Sequence, residues 1–280
     1  MKIILTTEST CDLPQEILKK YDIRTIPLKI ILGENEYTDG VDVTCEDIYN
    51  YVENNSVFPK TAALTEDEYT EFFKKNLADG DALIHFGLSS KISRTCESAM
   101  MAAEKLDNVY CVDSLALSTG VSLQILHASD MIKKGMSAEE VYKEALRVAQ
   151  KIQVSFVIKD LDYLYKGGRC SSLSNFFGKM LKIHPEIIMP GGAMTVGKKY
   201  KGAYSAVVDK YLNDKITSCP SVEKARVFIT HTKCDPELVS AAVEKVKSYN
   251  IFDEVLETTA GCTITSHCGP NTLGVLFITE

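Results

Sequence analysis

The 280 residues include 31 basic and 38 acidic side chains, for a formal net charge of -7. That balance repels a phosphate backbone and lacks the basic footprint of a nucleic-acid-binding protein, so nucleic acid is excluded as a partner. Hydrophobic residues make up 45% and charged residues 25% of the chain, an ordinary globular composition that excludes a disordered or fibrous protein.

The N-terminus and the longest apolar runs predict a soluble, cytoplasmic protein. The opening MKIILTTEST turns polar after a short apolar run, unlike a secretion signal, and no later run approaches the ~20 apolar residues of a membrane span. We therefore expect no stable membrane insertion, although transient contact with a membrane surface stays open. Nine cysteines without a CxxC pair are expected to be reduced thiols, most of them buried.

Short β-rich runs alternate with amphipathic stretches, which is typical of a mostly parallel sheet with crossover helices. Residues 2–5 predict the first strand, and Asp12 with Gln15 predicts a capping box that opens a helix. Later helix starts are predicted at Thr44 with Asp47, Thr65 with Glu68, Ser137 with Glu140, and Asp235 before Pro236. Further strands are predicted over 23–32, 82–87, 109–113, 154–161, 186–189, 193–198, 225–231, 253–259 and 273–279, with turns in 33–40 and 189–194.

The predicted fold class is α/β, with two domains. Because no linker-like segment interrupts the chain, the boundary is placed by topology, just after the helix that ends near residue 150. This gives an N-terminal domain over 1–152, with a mostly parallel sheet and flanking helices, and a C-terminal α/β domain over 153–280.

Clustered hydroxyl side chains follow three of the predicted strands. Parallel sheets bind ligands beyond the carboxyl ends of their strands. Hydroxyls and helix N-terminal N–H groups can hold a carboxylate or phosphate there without a fixed cation. We therefore expect an anionic head group, with the alternative that these residues are only N-caps and turn residues. The three clusters are Thr6, Thr7, Ser9 and Thr10, then Ser89, Ser90, Ser93 and Thr95, then Ser114 and Ser118.

His267 and Arg169 are the other candidate contacts for an anion. His267 is expected in a fixed loop before the last strand, with His231 as its competitor. Arg169 follows two glycines, in a turn that presents its guanidinium to an anion or a partner, or else only to solvent. Cys262, His267 and Cys268 are poorly spaced for one tetrahedral ion, so no metal site is expected.

Two enzyme classes are the alternatives to a binding protein. The chain contains neither a P-loop nor a GxGxxG motif, which disfavours a nucleotide site and therefore a kinase. A hydrolase acting on a lipid or acyl ester stays open as the alternative, with Ser93 and His267 joined by an acid such as Asp113.

Seven stretches, in order and from end to end, resemble the motifs of the DegV family of bacterial lipid-binding proteins, which includes the fatty-acid-binding subunits of fatty acid kinase. The stretches are TTESTCDLP, PLKIILGENEYTDG, PKTAAL, SKISRTCESA, VDSLALSTG, LDYLYKGGR and TSHCGPNTLGV. The chain departs from the family pattern at Glu8, Ala62, Arg94, Thr265 and Asn271. Arg94 matters most, because its cation would either pair with a bound carboxylate or swing outward.

The resemblance implies a long-chain fatty acid such as palmitate at the domain interface, with its tail in an apolar tunnel. Thr61 and Ser93 would bind the carboxylate, His267 would hydrogen-bond it, and Arg169 would lie near the head group. Ser114 and Ser118 join them as candidate ligand-binding residues. The protein would be a carrier without a cofactor, metal or catalytic residue of its own, presenting its fatty acid to a separate fatty acid kinase that phosphorylates the carboxylate.

Overall fold

The computed structural model describes residues 1–176 and 183–280. The strands are β1 (Ile3–Glu8), β2 (Ile23–Ile26), β3 (Lys29–Leu32), β4 (Asn35–Thr38), β5 (Lys60–Ala62), β6 (Ala82–Gly87), β7 (Val109–Asp113), β8 (Ile152–Ile158), β9 (Ile183–Ile188), β10 (Thr195–Lys201), β11 (Val222–Thr232), β12 (Glu254–Thr259) and β13 (Thr272–Thr279). The helices are α1 (Gln15–Lys20), α2 (Cys45–Asn55), α3 (Glu66–Leu77), α4 (Thr95–Ala103), α5 (Thr119–Lys133), α6 (Ala138–Ala149), α7 (Asp162–Gly167), α8 (Tyr204–Ser218), α9 (Pro236–Ser248) and α10 (Cys262–Cys268). Short 3-10 helices lie at Ser9–Cys11, Ser171–Phe176 and Pro190–Gly192.

The N-terminal part is built on a parallel sheet in the order β2-β1-β6-β7. Every residue of β6 is buried, as expected for a central parallel strand that is covered on both faces. Because parallel strands end at the same edge, the segments after β1, β6 and β7 emerge side by side, as the sequence predicted.

The C-terminal part is built on a mixed sheet in the order β10-β9-β8-β13-β11-β12. Within it, β11 and β12 are parallel, while the other neighbouring strands run antiparallel. The long helix α5 lies between the two sheets, and its Val121 and Ile125 belong to a core that also contains Phe86 and Phe156. The α/β class is confirmed, with the parallel arrangement concentrated in the first sheet.

A single strand over 23–32 was a wrong prediction. The segment divides at Pro27 into β2, in the parallel sheet, and β3, in a separate antiparallel sheet of order β4-β3-β5. Proline has no N–H for a strand ladder, so the chain changes sheets there. The predicted turn within 33–40 joins β3 to β4, with Gly33 at a φ of +66°.

Four of the five predicted helix starts are confirmed. The capping boxes at Thr44, Thr65 and Ser137 form, and the Asp235 carboxylate accepts from two N–H groups of α9. The Asp12 cap is wrong: Asp12 has a φ of 55° and ends a 3-10 helix, while α1 begins after Pro14. Five helices were not predicted by a capping signal, and all five start without a side-chain cap bond: α4, α5, α7, α8 and α10.

The first strand of the mixed sheet begins at Ile152, next to the predicted domain boundary between 152 and 153. Since the core around α5 is shared by both parts, the division into two domains stays a prediction. Among the helices described, the model contains none with both the length and the apolar character needed to cross a membrane.

Candidate functional site

A cavity of about 410 Å³ lies between the edge of the parallel sheet and α10, within the usual size range of small-molecule sites. Apolar side chains line it from several elements: Leu28, Leu88, Ile92, Leu117, Met194 and Ile264. Polar and basic groups join them from Thr61, Ser93, His267, Lys91, Arg94 and Arg169. The described lining residues include no carboxylate, so the cavity suits a ligand with an apolar body and an anionic end.

Thr61 and His267 meet across the cavity wall. Thr61 lies on β5, opposite Ile30 of β3, and His267 lies near the end of α10, a helix where the sequence predicted a loop. The Oγ1 of Thr61 and the Nε2 of His267 are 2.9 Å apart. The pair therefore joins two residues that are separated by 206 positions in the chain.

The hydrogen bonding of His267 assigns its tautomer. Its Nδ1 is buried and has no hydrogen-bond partner among the described residues, so a proton there would be left unsatisfied. We place the proton on Nε2, which then donates to Thr61 and leaves the Thr61 hydroxyl hydrogen free for a ligand. Burial lowers the pKa of His267 to about 4, with a further contribution from the nearby Arg169 cation, so the imidazole is neutral at pH 7.

The backbone of Gly167 covers the Nδ1 side of His267. A Cβ at this position would lie 2.4 Å from Nδ1, closer than any real contact, so only glycine lets α7 approach the ring. Gly168 has a different role: its φ of +68° is the left-handed conformation that ends α7. The sequence predicts a turn at both glycines, whereas Gly167 is the last residue of α7 and packs against His267, and Gly168 ends the helix.

Ser93 and Arg169 line the same cavity as Thr61 and His267. The Ser93 Oγ accepts from the N–H of Thr95 at 3.3 Å, and its own proton can reach a ligand. The Arg169 guanidinium is exposed and donates to the carbonyl of Gly167 at 2.5 Å. The Arg94 side chain is 90% exposed, and its Nε lies 3.7 Å from the Glu97 carboxylate. This cation, which departs from the family pattern, therefore points toward solvent at the mouth.

Ser114 and Ser118 are not brought into this cluster. The Ser114 Oγ donates to the carbonyl of Ala116, and the Ser118 Oγ donates to Asp12 at 2.5 Å. Neither lines the cavity, and both hydroxyls stabilise the buried turn between β7 and α5. His231, the competitor of His267, contacts Glu257 instead, at 3.2 Å.

Two aspartates that sequence reasoning did not assign to the site hold the N-terminal end of α10. The Asp39 carboxylate accepts from the backbone N–H groups of Cys262 and Thr263 and from the Thr263 hydroxyl. The carboxyl group of Asp12 accepts from the N–H of Gly261 at 2.8 Å, and its burial raises its pKa well above the usual range. These N-terminal motif residues thus position the C-terminal helix that carries His267.

The acid required by a hydrolase does not contact His267. The Asp113 carboxylate accepts from the hydroxyl and N–H of Ser90 and from the N–H of Leu115. Within the described ranges no carboxylate is hydrogen-bonded to His267, and no group of three or more His, Cys, Asp or Glu side chains is placed to hold a metal ion.

The apolar wall continues inward beyond the cavity. A small void of about 30 Å³ shares Leu117, Ile264 and Cys268 with the cavity and reaches Phe156 and Leu276 of the mixed sheet. Leu117, Ile264 and Cys268 therefore line both spaces. The polar end of the cavity is therefore at the mouth, and its apolar end faces the core between the two sheets.

The comparisons with known proteins agree with one another. The model of the DegV family, described as uncharacterised proteins, matches residues 2–280. A fatty acid-binding protein of Thermotoga maritima is 31% identical, over 98% of this chain and 96% of its own length. A DegV domain-containing protein of Clostridium perfringens is 30% identical, over 100% and 99%.

Solved structures have the same fold. A DegV family protein from Thermus thermophilus, described for its fatty acid binding, superimposes with a TM-score of 0.92 at 27% identity, with both chains covered completely. The fatty acid-binding DegV of Bacillus subtilis superimposes with a TM-score of 0.84 at 26% identity, again over 100% of both chains.

Proposed function

This chain belongs to the DegV family, and from that premise we propose that it binds one long-chain fatty acid, such as palmitate, and presents the carboxylate to a fatty acid kinase. The single observation that carries the proposal is the juxtaposition of Thr61, Ser93, His267 and Arg169 at the polar end of an otherwise apolar cavity. The related proteins described as fatty acid-binding support the same ligand class.

The head group is bound mainly by neutral donors. The free hydrogens of the Thr61 and Ser93 hydroxyls can each donate to a carboxylate. The resemblance implies a hydrogen bond from His267 to the carboxylate itself; we propose instead that the neutral His267 acts through its hydrogen bond to Thr61. Arg169 provides a cation at the mouth, where water weakens its attraction. This arrangement selects a carboxylate without a deeply buried ion pair, whose desolvation would be costly.

The tail provides most of the binding free energy. Burying one CH₂ group is worth about 0.8 kcal/mol, so a chain of ~16 carbons contributes roughly 12 kcal/mol before ordering costs. We propose that the tail runs from the mouth past Leu117 and Ile264 toward the core between the sheets. Ser114 acts in this proposal through the turn that carries Leu117. Ser118 lines the small void toward which the tail runs.

We propose no catalytic residue in this chain. A carrier must shield an insoluble tail and leave one reactive carboxyl accessible, and the exposed Arg94 and Arg169 beside the mouth suit contact with a partner enzyme. We propose that the carrier acts in the cytoplasm, in lipid transport or fatty acid metabolism. The hydrolase alternative has no support from the contacts of His267 and Asp113.

Protein purified from bacteria, analysed by native mass spectrometry and lipid extraction, tests the ligand class. We expect one co-purifying long-chain fatty acid per chain, and palmitate rebinding to delipidated protein in calorimetry. Thr61→Val and Ser93→Ala should each lower the affinity for palmitate about tenfold, the effect of one lost hydrogen bond of ~1.4 kcal/mol. The matched control is Thr217→Val, whose exposed hydroxyl bonds within α8. Purified protein that contains no fatty acid and does not bind added palmitate would overturn the proposal.

A further inference from the structure

Two cysteines meet where α2 contacts α10. Cys45 is the first residue of α2 and Cys262 the first residue of α10, and their sulfur atoms are 3.8 Å apart although 217 positions separate them in the chain. Each thiol also reaches the backbone of the other segment: Cys45 Sγ lies 3.5 Å from the carbonyl of Ala260, and Cys262 Sγ lies 3.3 Å from that of Val43. The pair therefore spans the junction between an N-terminal helix and the helix of His267.

The two thiols have complementary environments. Cys45 is half-buried, and its position at the start of an 11-residue helix favours the thiolate. The hydrogen bond from Cys262 lowers the pKa of Cys45, and the same contact raises the pKa of Cys262, which is buried. Such a contrast suits one attacking thiolate that solvent can reach and one resolving thiol behind it.

We propose that Cys45 and Cys262 form an oxidation site that converts reversibly between a dithiol and a disulfide, with a peroxide as the oxidant. The Cys45 thiolate attacks one peroxide oxygen, the O–O bond breaks, and the departing hydroxide takes up a proton to leave as water. Cys262 then attacks the Cys45 sulfenic sulfur, the S–O bond breaks, and a second water leaves with the Cys262 proton. Two thiols are oxidised, and one peroxide is reduced to two waters.

The disulfide also acts on the ligand site, a consequence that rests on the proposed function. Forming the bond brings the sulfurs from 3.8 Å to about 2.05 Å apart and removes the Cys45 thiolate and the Cys262 S–H donor from the α2–α10 junction. Cys262 lies five residues before His267 on the same short helix, and its N–H is bound by Asp39. A shift of α10 therefore disturbs the contact between Thr61 and His267 and weakens the hold on the carboxylate.

Peroxide treatment of the full chain, followed by alkylation of free thiols, digestion and mass spectrometry, tests the site. We expect a reversible peptide cross-link between Cys45 and Cys262 in the wild type. Cys45→Ser and Cys262→Ser should each abolish it, and Cys234→Ser should retain it, since Cys234 is also half-buried but bonds to the carbonyl of Thr272. Oxidation without this cross-link, or cross-links scattered over other cysteines, would overturn the proposal.

Palmitate calorimetry on the same samples separates this proposal from the proposed function. Oxidation should lower the affinity for palmitate about tenfold in the wild type and in Cys234→Ser, and dithiothreitol should restore it. The affinity of Cys262→Ser should not change on oxidation. A cross-linked protein with undiminished affinity would contradict the coupling to His267. A reduced wild type that binds no palmitate would instead contradict the proposed function, while the mapped disulfide would still support the oxidation site.

Discussion

At the residue scale, the absence of a side chain at Gly167 is as important for the site as the hydroxyls that face the ligand. The backbone at Gly167 covers the buried Nδ1 of His267, so the ring is held between α7 and Thr61. Close packing of this kind leaves no room for a methyl group without displacement of the neighbour. The orientation of His267 thus depends on a residue that has no polar side chain.

Gly167→Ala should therefore displace His267 and break its contact with Thr61. We expect palmitate affinity in calorimetry to fall about tenfold, and the free energy of unfolding to fall by about 1 to 3 kcal/mol. Gly168→Ala is the matched control, because it introduces left-handed strain of roughly 1 kcal/mol without a neighbour within 4 Å. If the affinity for palmitate fell equally in both variants, the contact with His267 would not be the cause.

The titration of His267 reports the charge that binds beside it. In the ligand-free protein its pKa is lowered to about 4, by burial and by Arg169. A bound carboxylate stabilises the imidazolium, so the pKa should rise on binding. Binding then takes up protons between the two pKa values, and the contribution of His267 to affinity grows as the pH falls through that window.

Histidine NMR, with His267→Gln to assign the resonance, measures both pKa values. A bound palmitate that left the titration of His267 unchanged would place the carboxylate elsewhere. Hexadecanol provides the control, since it has the same tail without the charge.

At the element scale, α10 is a short helix whose position is fixed from the other end of the chain. Its first N–H groups donate to Asp39, and the N–H of Gly261 just before it donates to Asp12. A seven-residue helix is not stable by itself, so these buried carboxyl groups and the neighbouring packing determine where His267 lies.

Asp39→Ala should release the start of α10. We expect the free energy of unfolding to fall by about 2 to 3 kcal/mol and the His267 resonance to move, because two N–H groups and two hydroxyls lose their acceptor. Asp39→Asn retains one acceptor oxygen and should lose less. Asp47→Ala removes an exposed carboxylate of the α2 capping box, leaves the N-cap Thr44 in place and serves as the control, with unchanged palmitate affinity. An unmoved His267 resonance in Asp39→Ala would refute the positioning role.

Local sequence signals predicted where helices begin better than which elements pack together. Capping side chains announced α2, α3, α6 and α9 correctly, because a cap acts within one turn of the chain. Asp12 misled for the same reason: it resembles a cap, but its carboxyl group bonds to residues more than 100 positions away. Pro27 is a local reason for the strand to break, but no local pattern encodes which sheet each half joins.

The candidate site shows the same limit. Hydroxyls after the parallel strands were predicted to meet, because strand ends share an edge, and Ser93 does reach the cavity. Ser114 and Ser118 share that edge but turn toward Ala116 and Asp12. The family resemblance, rather than periodicity, predicted that Thr61 and His267 belong to one site. The contacts of Gly167 and Asp39 that position His267 could be seen only in the structure.

At the scale of the whole molecule, the cavity lies between the edge of the parallel sheet and α10, and its mouth carries charge opposite to the protein's own. The net charge is -7, yet Lys91, Arg94 and Arg169 all line the opening. Local cations of this kind raise the concentration of an anion at the mouth in spite of the overall charge. Anion capture should therefore weaken as salt is added, while tail burial should not.

Chain length should set affinity until the cavity is full. Across saturated fatty acids of about 10 to 18 carbons, each added CH₂ is worth about 0.8 kcal/mol, or roughly fourfold in Kd. Calorimetry on delipidated protein should show this slope and then a plateau. Affinity that does not change with chain length would mean that the tail stays in solvent.

The most direct measurement is a crystal structure of the delipidated protein after palmitate is added. We predict one bound fatty acid whose carboxylate lies within hydrogen-bond distance of the hydroxyls of Thr61 and Ser93, with its chain passing Leu117 and Ile264 toward the core. A fatty acid bound with its carboxylate away from these hydroxyls, or with its tail outside this cavity, would contradict it.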